Sequence, residues 1–196
     1  PVLLIPVCVT AKIMDINFMG TVAMTKTVLP FMLKQQSGHI AVITSLTDSI
    51  NVAAGVGCKK VITFTGMKFD GMDRDKAIKD CLDVWKQVLP LAEKKGVTLV
   101  LEHLNSRDGS KPMLGHPGYF GDDVEFCIDL VKQIGSPNFK LLFDIYHVQI
   151  MNGDVIRRLR THKDYIGHYH TAGNPGRCEL DENQEINYHA IVKANV

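Results

Sequence analysis

From residue 58 onward, short apolar runs rich in β-branched residues alternate with longer amphipathic stretches, and no other feature restricts the fold as much. The runs are 60–65 (KVITFT), 97–102 (VTLVLE), 139–144 (FKLLFD) and 165–170 (YIGHYH). The central ones are apolar continuously rather than at every second position, the pattern of strands covered on both faces. Between them, 75–95 carries Ile78, Leu82, Trp85, Leu89 and Ala92 at helical spacing, with Pro90 expected to kink the helix and Gly96 to cap it. A second helix over 122–135 turns Val124, Cys127, Val131 and Ile134 inward, a short one is expected near 153–161, and a last one starts near Asn187. Buried strands alternating with helices predict an α/β fold with a parallel sheet covered by helices.

The first quarter reads differently. Met14, Phe18, Val22, Leu29 and Met32 form a helical stripe over 11–35, Ser37-Gly38 stops it, and 39–44 (HIAVIT) reads as a buried strand. The Ser/Thr/Gly/Ala-rich stretch 45–57 is read as a boundary. That makes five strands, whereas a closed eight-stranded barrel takes about 250 residues. The 196 residues are therefore expected to form an incomplete barrel or an open sheet.

Composition excludes several partners. Lys+Arg 22 against Asp+Glu 21 leaves a net charge of +1 without a like-charge block, so neither nucleic acid nor an anionic membrane is expected. Five widely spaced cysteines without a Cys-x-x-Cys motif read as reduced thiols of a cytoplasmic protein. Residues 1–10 are too short to span a bilayer and lack a signal-peptide layout, and the absent initiating methionine points to a processed or truncated chain.

The chemistry gathers at strand ends. Glu102 ends one apolar run, Asp144 ends the next, and His170 ends the last. In a parallel sheet these ends share one rim, the usual place for an active site. Each residue alone has an ordinary explanation: a carboxylate just past a strand often caps the following turn, and a histidine is often structural. Their convergence points to a divalent metal, and mixed carboxylate and imidazole donors suit Mg²⁺, Mn²⁺, Co²⁺ or Zn²⁺ without choosing among them. His168 shares a face with His170, and Arg177 follows on an Asn-Pro-Gly turn, placed to hold an anionic or hydroxylated substrate.

The phrases KKVITFTGM, LPLAEKKGVTLVLEHLN, GHPGYF, LLFDIYHVQIMNGD, GHYHTAGNPGR and ELDENQEINY recur in order. With them, residues 58–196 resemble the hydroxypyruvate isomerase-like branch of the xylose isomerase-like TIM barrels. The resemblance implies a truncated (β/α)8 barrel that moves a proton between neighbouring carbons of a small hydroxy-carbonyl substrate through a metal-stabilised enediolate, as between hydroxypyruvate and tartronate semialdehyde. It implies Glu102, Asp144 and His170 as metal ligands, Glu102 also as the catalytic acid/base, and His147, Arg177 and His168 as substrate contacts. The family adds a second glutamate on its last strand. The sequence ends at Val196 before that position, so an inactive chain is one expectation. Glu179, Glu182 and Glu185 do not stand in for it.

Residues 1–46 (KIMDINFMGTVAMTKTVLPFMLKQQSGHIAVITSL at their core) resemble a central fragment of the short-chain dehydrogenases/reductases, a Rossmann-type fold using NAD(P). Asn17 and Ser45 match that family's helix asparagine and catalytic serine. The Gly-rich fingerprint and the Tyr-x-x-x-Lys after Ser45 are absent, so no cofactor-binding residue is assigned. The chain is thus expected to be a mosaic: 1–50 a dehydrogenase-like helix–strand fragment, 58–196 a truncated barrel. An NAD(P)-dependent dehydrogenase and a non-catalytic chimeric scaffold, dimerising through unclosed sheet edges, are the alternatives to an isomerase.

Overall fold

The computed structural model describes residues 40–111 and 114–194. Four strands, β1 (Lys60–Thr63), β2 (Thr98–Glu102), β3 (Phe139–Asp144) and β4 (Ile166–His170), form one sheet in the order β1-β2-β3-β4, every pair parallel. The helices are α1 (Ile40–Gly55), α2 (Arg74–Lys95), α3 (Val124–Ile134), α4 (Ile145–Met151), α5 (Val155–His162) and α6 (Tyr188–Ala194). Leu99, Leu101, Leu141 and Phe143 are wholly buried in the core between the sheet and helices α2 and α3. This is the strand–helix alternation of a parallel barrel wall, with four strands among the described residues.

Residues 40–44 are not a strand; they open α1. A short β-branched apolar run does not by itself distinguish a buried strand from a buried helix. The spacing that follows does: Leu46, Ile50 and Ala53 fall on one helical face and join the same core as α2 and the sheet. Of the stretch 45–57 read as a boundary, residues 45–55 therefore lie inside a helix. The helix expected over 11–35 lies outside the described residues, as does His39.

Local signals account for the other helix limits. The Asp73 side chain accepts from the Lys76 N–H at 3.0 Å, and Gly96 closes α2 in the left-handed region at φ 63°. Helix α2 continues through Pro90, which sits on the exposed face. There the Lys86 carbonyl, deprived of its N–H partner, can turn to water. In α3, Asp123 accepts from the Phe126 N–H at 2.9 Å, and Gly135 ends the helix at φ 68°. The α3 face meets α5 through Glu125, which binds both Arg158 and, at 2.8 Å, His162 Nε2. The sequence reading missed α4, which starts directly at the end of β3 with no intervening loop.

One irregularity in the sheet matters for the site. The β3–β4 register skips a residue: Leu141 pairs with Ile166, but Leu142 pairs with His168. Gly167 is the extra residue, and a Cβ there would meet Lys140 Cβ at 2.6 Å. Strand alternation puts His168 and His170 on a common side, their rings 5.3 Å apart, and the bulge brings them into register with Leu142 and Asp144.

Trp85 ties α2 to the sheet. Its ring packs 4.9 Å from that of Phe139, and its Nε1–H donates to the buried Thr63 hydroxyl at 3.0 Å. Trp85→Phe keeps most of the apolar contact and orphans that hydroxyl, so it should lower unfolding free energy by about 1–3 kcal/mol in urea titrations. Adding Thr63→Val should recover part of the loss, because the unpaired group is then gone; a double variant no more stable than Trp85→Phe would contradict this.

His103, directly after β2, is buried with neither ring nitrogen hydrogen-bonded. Burial holds its pKa down at about 4, against a smaller opposing influence of the Leu142 carbonyl. An unfolded histidine, near 6.5, protonates first as pH falls, so this group's contribution is full above pH 6.5 and is lost between 6.5 and about 4. Over that window wild type should lose about 3 kcal/mol more than His103→Leu, followed by chemical denaturation in chelator. Parallel acid limbs for the two proteins would contradict it.

Candidate functional site

The rim at the C-terminal ends of β2, β3 and β4 brings together the three residues read as ligands. One donor atom each from Glu102, Asp144 and His170 lies within 4.8 Å of the others. His170 Nδ1 is 3.0 Å from Glu102 Oε1 and 3.7 Å from Asp144 Oδ2. Asp144 pairs with His170 across the β3–β4 ladder, so these two start level. Glu102 pairs with Leu142, two positions before Asp144, and the longer glutamate side chain spans that offset.

Both carboxylates are almost wholly buried, at 5% and 2% exposure, while the His170 ring stays one-third open. Burial raises the pKa of each carboxyl. For Glu102, desolvation outweighs His170 and Arg177, and the nearby Asp144 pushes the same way. For Asp144, desolvation outweighs the His147 backbone N–H and the positive charge of Arg177. Two desolvated carboxylates facing one imidazole need a positive partner to remain ionised together. The donor set, two hard oxygens and one nitrogen from three rigid strands, fits a divalent cation.

Capping and ligation were competing readings of Asp144, and the geometry accommodates both. Its Oδ1 accepts from the His147 N–H at 3.0 Å as the N-cap of α4, while Oδ2 faces His170. His147 is fully buried beside the cluster, its Nε2 3.8 Å from Asp144 Oδ2 and unpartnered. Desolvation, reinforced by His103, Arg177, His116 and His170, keeps its ring neutral far below the usual histidine pKa. His168 lies two residues before His170 on β4, away from the rim, and burial with Lys60 nearby lowers its pKa.

Arg177 reaches the site from a hairpin closed by mutual Gly173–Cys178 backbone bonds of 2.7 and 3.1 Å. The turn contains a cis Asn174–Pro175 bond, Gly176 at φ 88° and Arg177 itself at φ 52°. The guanidinium lies 5.9 Å from the Tyr146 ring centroid, close enough for its charge to act on both carboxylates. Glu185 holds the base of this loop, its backbone N–H donating to the Asn174 carbonyl at 2.7 Å. Glu179 and Glu182 are exposed.

The sequence reading missed Asn105, Tyr119 and His116. Tyr119 donates to the Glu102 carbonyl at 2.8 Å and accepts from the Thr65 N–H at 3.1 Å, fixing the end of β2 to the loop after β1. His116 packs 6.2 Å from the His147 ring. Only the phrase GHPGYF marked that loop. For the dehydrogenase-like segment, Asn17 lies outside the described residues and Ser45 falls within α1.

Known proteins resemble this chain in sequence and in fold. A family model described as xylose isomerase-like TIM barrel matches residues 18–194, starting inside the segment 1–46 that the sequence reading assigned to a dehydrogenase-like fragment. The 2-oxo-tetronate isomerase of Cupriavidus necator is 31% identical over 140 residues, which are 71% of this chain and 51% of that protein. The hydroxypyruvate isomerase of Escherichia coli is 27% identical over 145 residues, 74% of this chain and 53% of that one. The chain thus spans about half the length of the curated relatives it matches. Among solved structures, the AP endonuclease, family 2, from Brucella melitensis superposes with a TM-score of 0.71 at 27% identity, covering 81% of this chain and 58% of that one. With its model matched over 177 of 196 residues, counted from 18 to 194, the chain belongs to the xylose isomerase-like TIM barrel family.

Proposed function

We propose that Glu102, Asp144 and His170 hold a divalent cation, and that the site transfers a proton between adjacent carbons of a small 2-oxo-3-hydroxy acid. Hydroxypyruvate is the simplest such substrate. The observation that carries this reading is the convergence of three donor atoms from three neighbouring strands within 4.8 Å. The names of two relatives, a hydroxypyruvate isomerase and a 2-oxo-tetronate isomerase, support the reaction class.

When bound, the cation would supply Lewis-acid stabilisation of negative charge developing on the two substrate oxygens. Mg²⁺ or Mn²⁺ suits this mainly oxygen set, with Co²⁺ or Zn²⁺ as alternatives. The residues do the rest. Glu102 removes the proton from the hydroxyl-bearing carbon and returns it to the neighbouring carbon, while the hydroxyl proton passes to the oxygen of the former carbonyl, so that hydroxyl and carbonyl exchange places. Arg177 takes the substrate carboxylate, its planar fork matching that group. His147 turns its unpartnered Nε2 toward the substrate oxygens. The half-open His170 ring leaves the approach for a small molecule.

Binding of the cation should appear as stabilisation. At a metal concentration of 100 times the dissociation constant, about 2.7 kcal/mol is expected, a rise of several degrees in Tm with Mn²⁺ or Mg²⁺. Glu102→Gln should abolish most of that rise. In D₂O, wild type should exchange the C3 protons of hydroxypyruvate, followed by NMR, and Glu102→Gln should slow exchange about 10²–10⁴-fold. A wild-type Tm indifferent to every one of the four cations would remove the basis of this reading.

A further inference from the structure

We propose that Asn105 is a positioning residue that locks His147 as the Nε2–H tautomer, so that the ring offers the site a hydrogen-bond donor and not an acceptor. The proposal rests on the reading of the Glu102–Asp144–His170 cluster as the active centre.

The two ends of the Asn105 amide are chemically defined by their partners. Its Oδ1 accepts from the Asp108 backbone N–H at 3.0 Å, and its Nδ2 donates to the Leu114 carbonyl at 2.7 Å. An N–H can only donate and a carbonyl can only accept, so the amide has one orientation. In that orientation the NH₂ group faces His147 Nδ1 at 2.8 Å. The Asn105 backbone N–H points at the same nitrogen, 3.1 Å away. Two donors converging on Nδ1 require its lone pair, so a neutral ring must carry its proton on Nε2.

The surroundings keep this arrangement. His147 and Asn105 are both fully buried, so water does not compete for the ring nitrogen. Gly115 passes too close to Asn105 for a side chain to fit between them. A Cβ at Gly115 would lie 2.3 Å from Asn105 Oδ1 and 2.4 Å from the Asp108 carbonyl, and the His116 N–H binds the Asn105 carbonyl at 2.7 Å. The far side of the ring is left with an unpartnered buried Nε2, 3.8 Å from Asp144 Oδ2. A buried donor without a protein acceptor, at the edge of the cluster, is placed to meet a substrate carbonyl or developing oxyanion. The other tautomer would turn a lone pair toward that oxygen and repel it.

The test reads the ring directly. Long-range ¹H–¹⁵N spectra of protein labelled at histidine nitrogens, with His147 assigned by comparison with His147→Gln, should show Nε2 protonated and Nδ1 bare in wild type. Asn105→Asp puts a carboxylate where the NH₂ was and should move the proton to Nδ1. In turnover of hydroxypyruvate, Asn105→Asp should lower kcat about 10²–10³-fold, the usual loss of one donor to an oxyanion. The Tm rise with Mn²⁺ should survive in that variant, since no cluster donor is altered. Wild type with Nδ1 protonated overturns the proposal, whether or not the variant folds. So does a folded Asn105→Asp with an unmoved proton, or with a moved proton and unchanged kcat. Failure of the cluster reading is seen separately, as a wild-type Tm that ignores metal.

Discussion

Parallel pairing of β2, β3 and β4 is the constraint from which the site follows. It puts three strand ends on one rim and fixes the level at which each side chain leaves the sheet. Strand side chains alternate between faces, so a slip of one residue would turn Asp144 or His170 away from the cluster. The bulge at Gly167 uses that sensitivity. Without the extra residue, Leu141↔Ile166 pairing would continue with Gly167, not His168, opposite Leu142, and the β4 histidines would be out of step with Asp144. Glu102 leaves the sheet level with Leu142, and an aspartate there would keep the charge while falling one methylene short.

Burying two carboxylates beside each other is unfavourable, and the fold offsets the cost only in part. The Asp144 carboxylate receives the N–H of His147 at the start of α4, His170 approaches both acids, and Arg177 contributes positive charge from the hairpin. Even so, desolvation dominates and both pKa values are raised. Under the proposed function this residual deficit is what a cation would neutralise.

The sheet strands were legible because continuous apolar runs bounded by helix signals have one common solution, a covered parallel sheet. Strand β3 coincides with its expected span, and β2 and β4 with theirs to within one residue. The clustering of Glu102, Asp144 and His170 was legible for the same reason, since equivalent ends of parallel strands share one rim. What escaped depended on contacts that leave no periodic trace. Residues 40–44 are equally plausible as strand or helix until Leu46, Ile50 and Ala53 are seen to share the core. Helix α4 was hidden because it follows β3 without a turn. Asn105 closes the phrase LPLAEKKGVTLVLEHLN three residues past Glu102, but nothing in that phrase names its partner, which lies 42 residues away.

The Asp144–His147 unit shows how few residues are needed to orient a site. Aspartate is short enough to cap its own helix, so Oδ1 is tied to the N–H three residues on and Oδ2 is left facing the cluster. The same cap sets where His147 stands in the first turn of α4, and the helix thereby brings the ring back beside the acid that started it. One end of the ring then meets the donors of Asn105, and the other faces the rim. A glutamate at 144, being longer, would fit the cap poorly and would carry the ring's anchor away from β3. The choice of aspartate on β3 and glutamate on β2 is therefore a matter of length: one must hold a helix while facing the centre, and the other must reach across the stagger of the sheet.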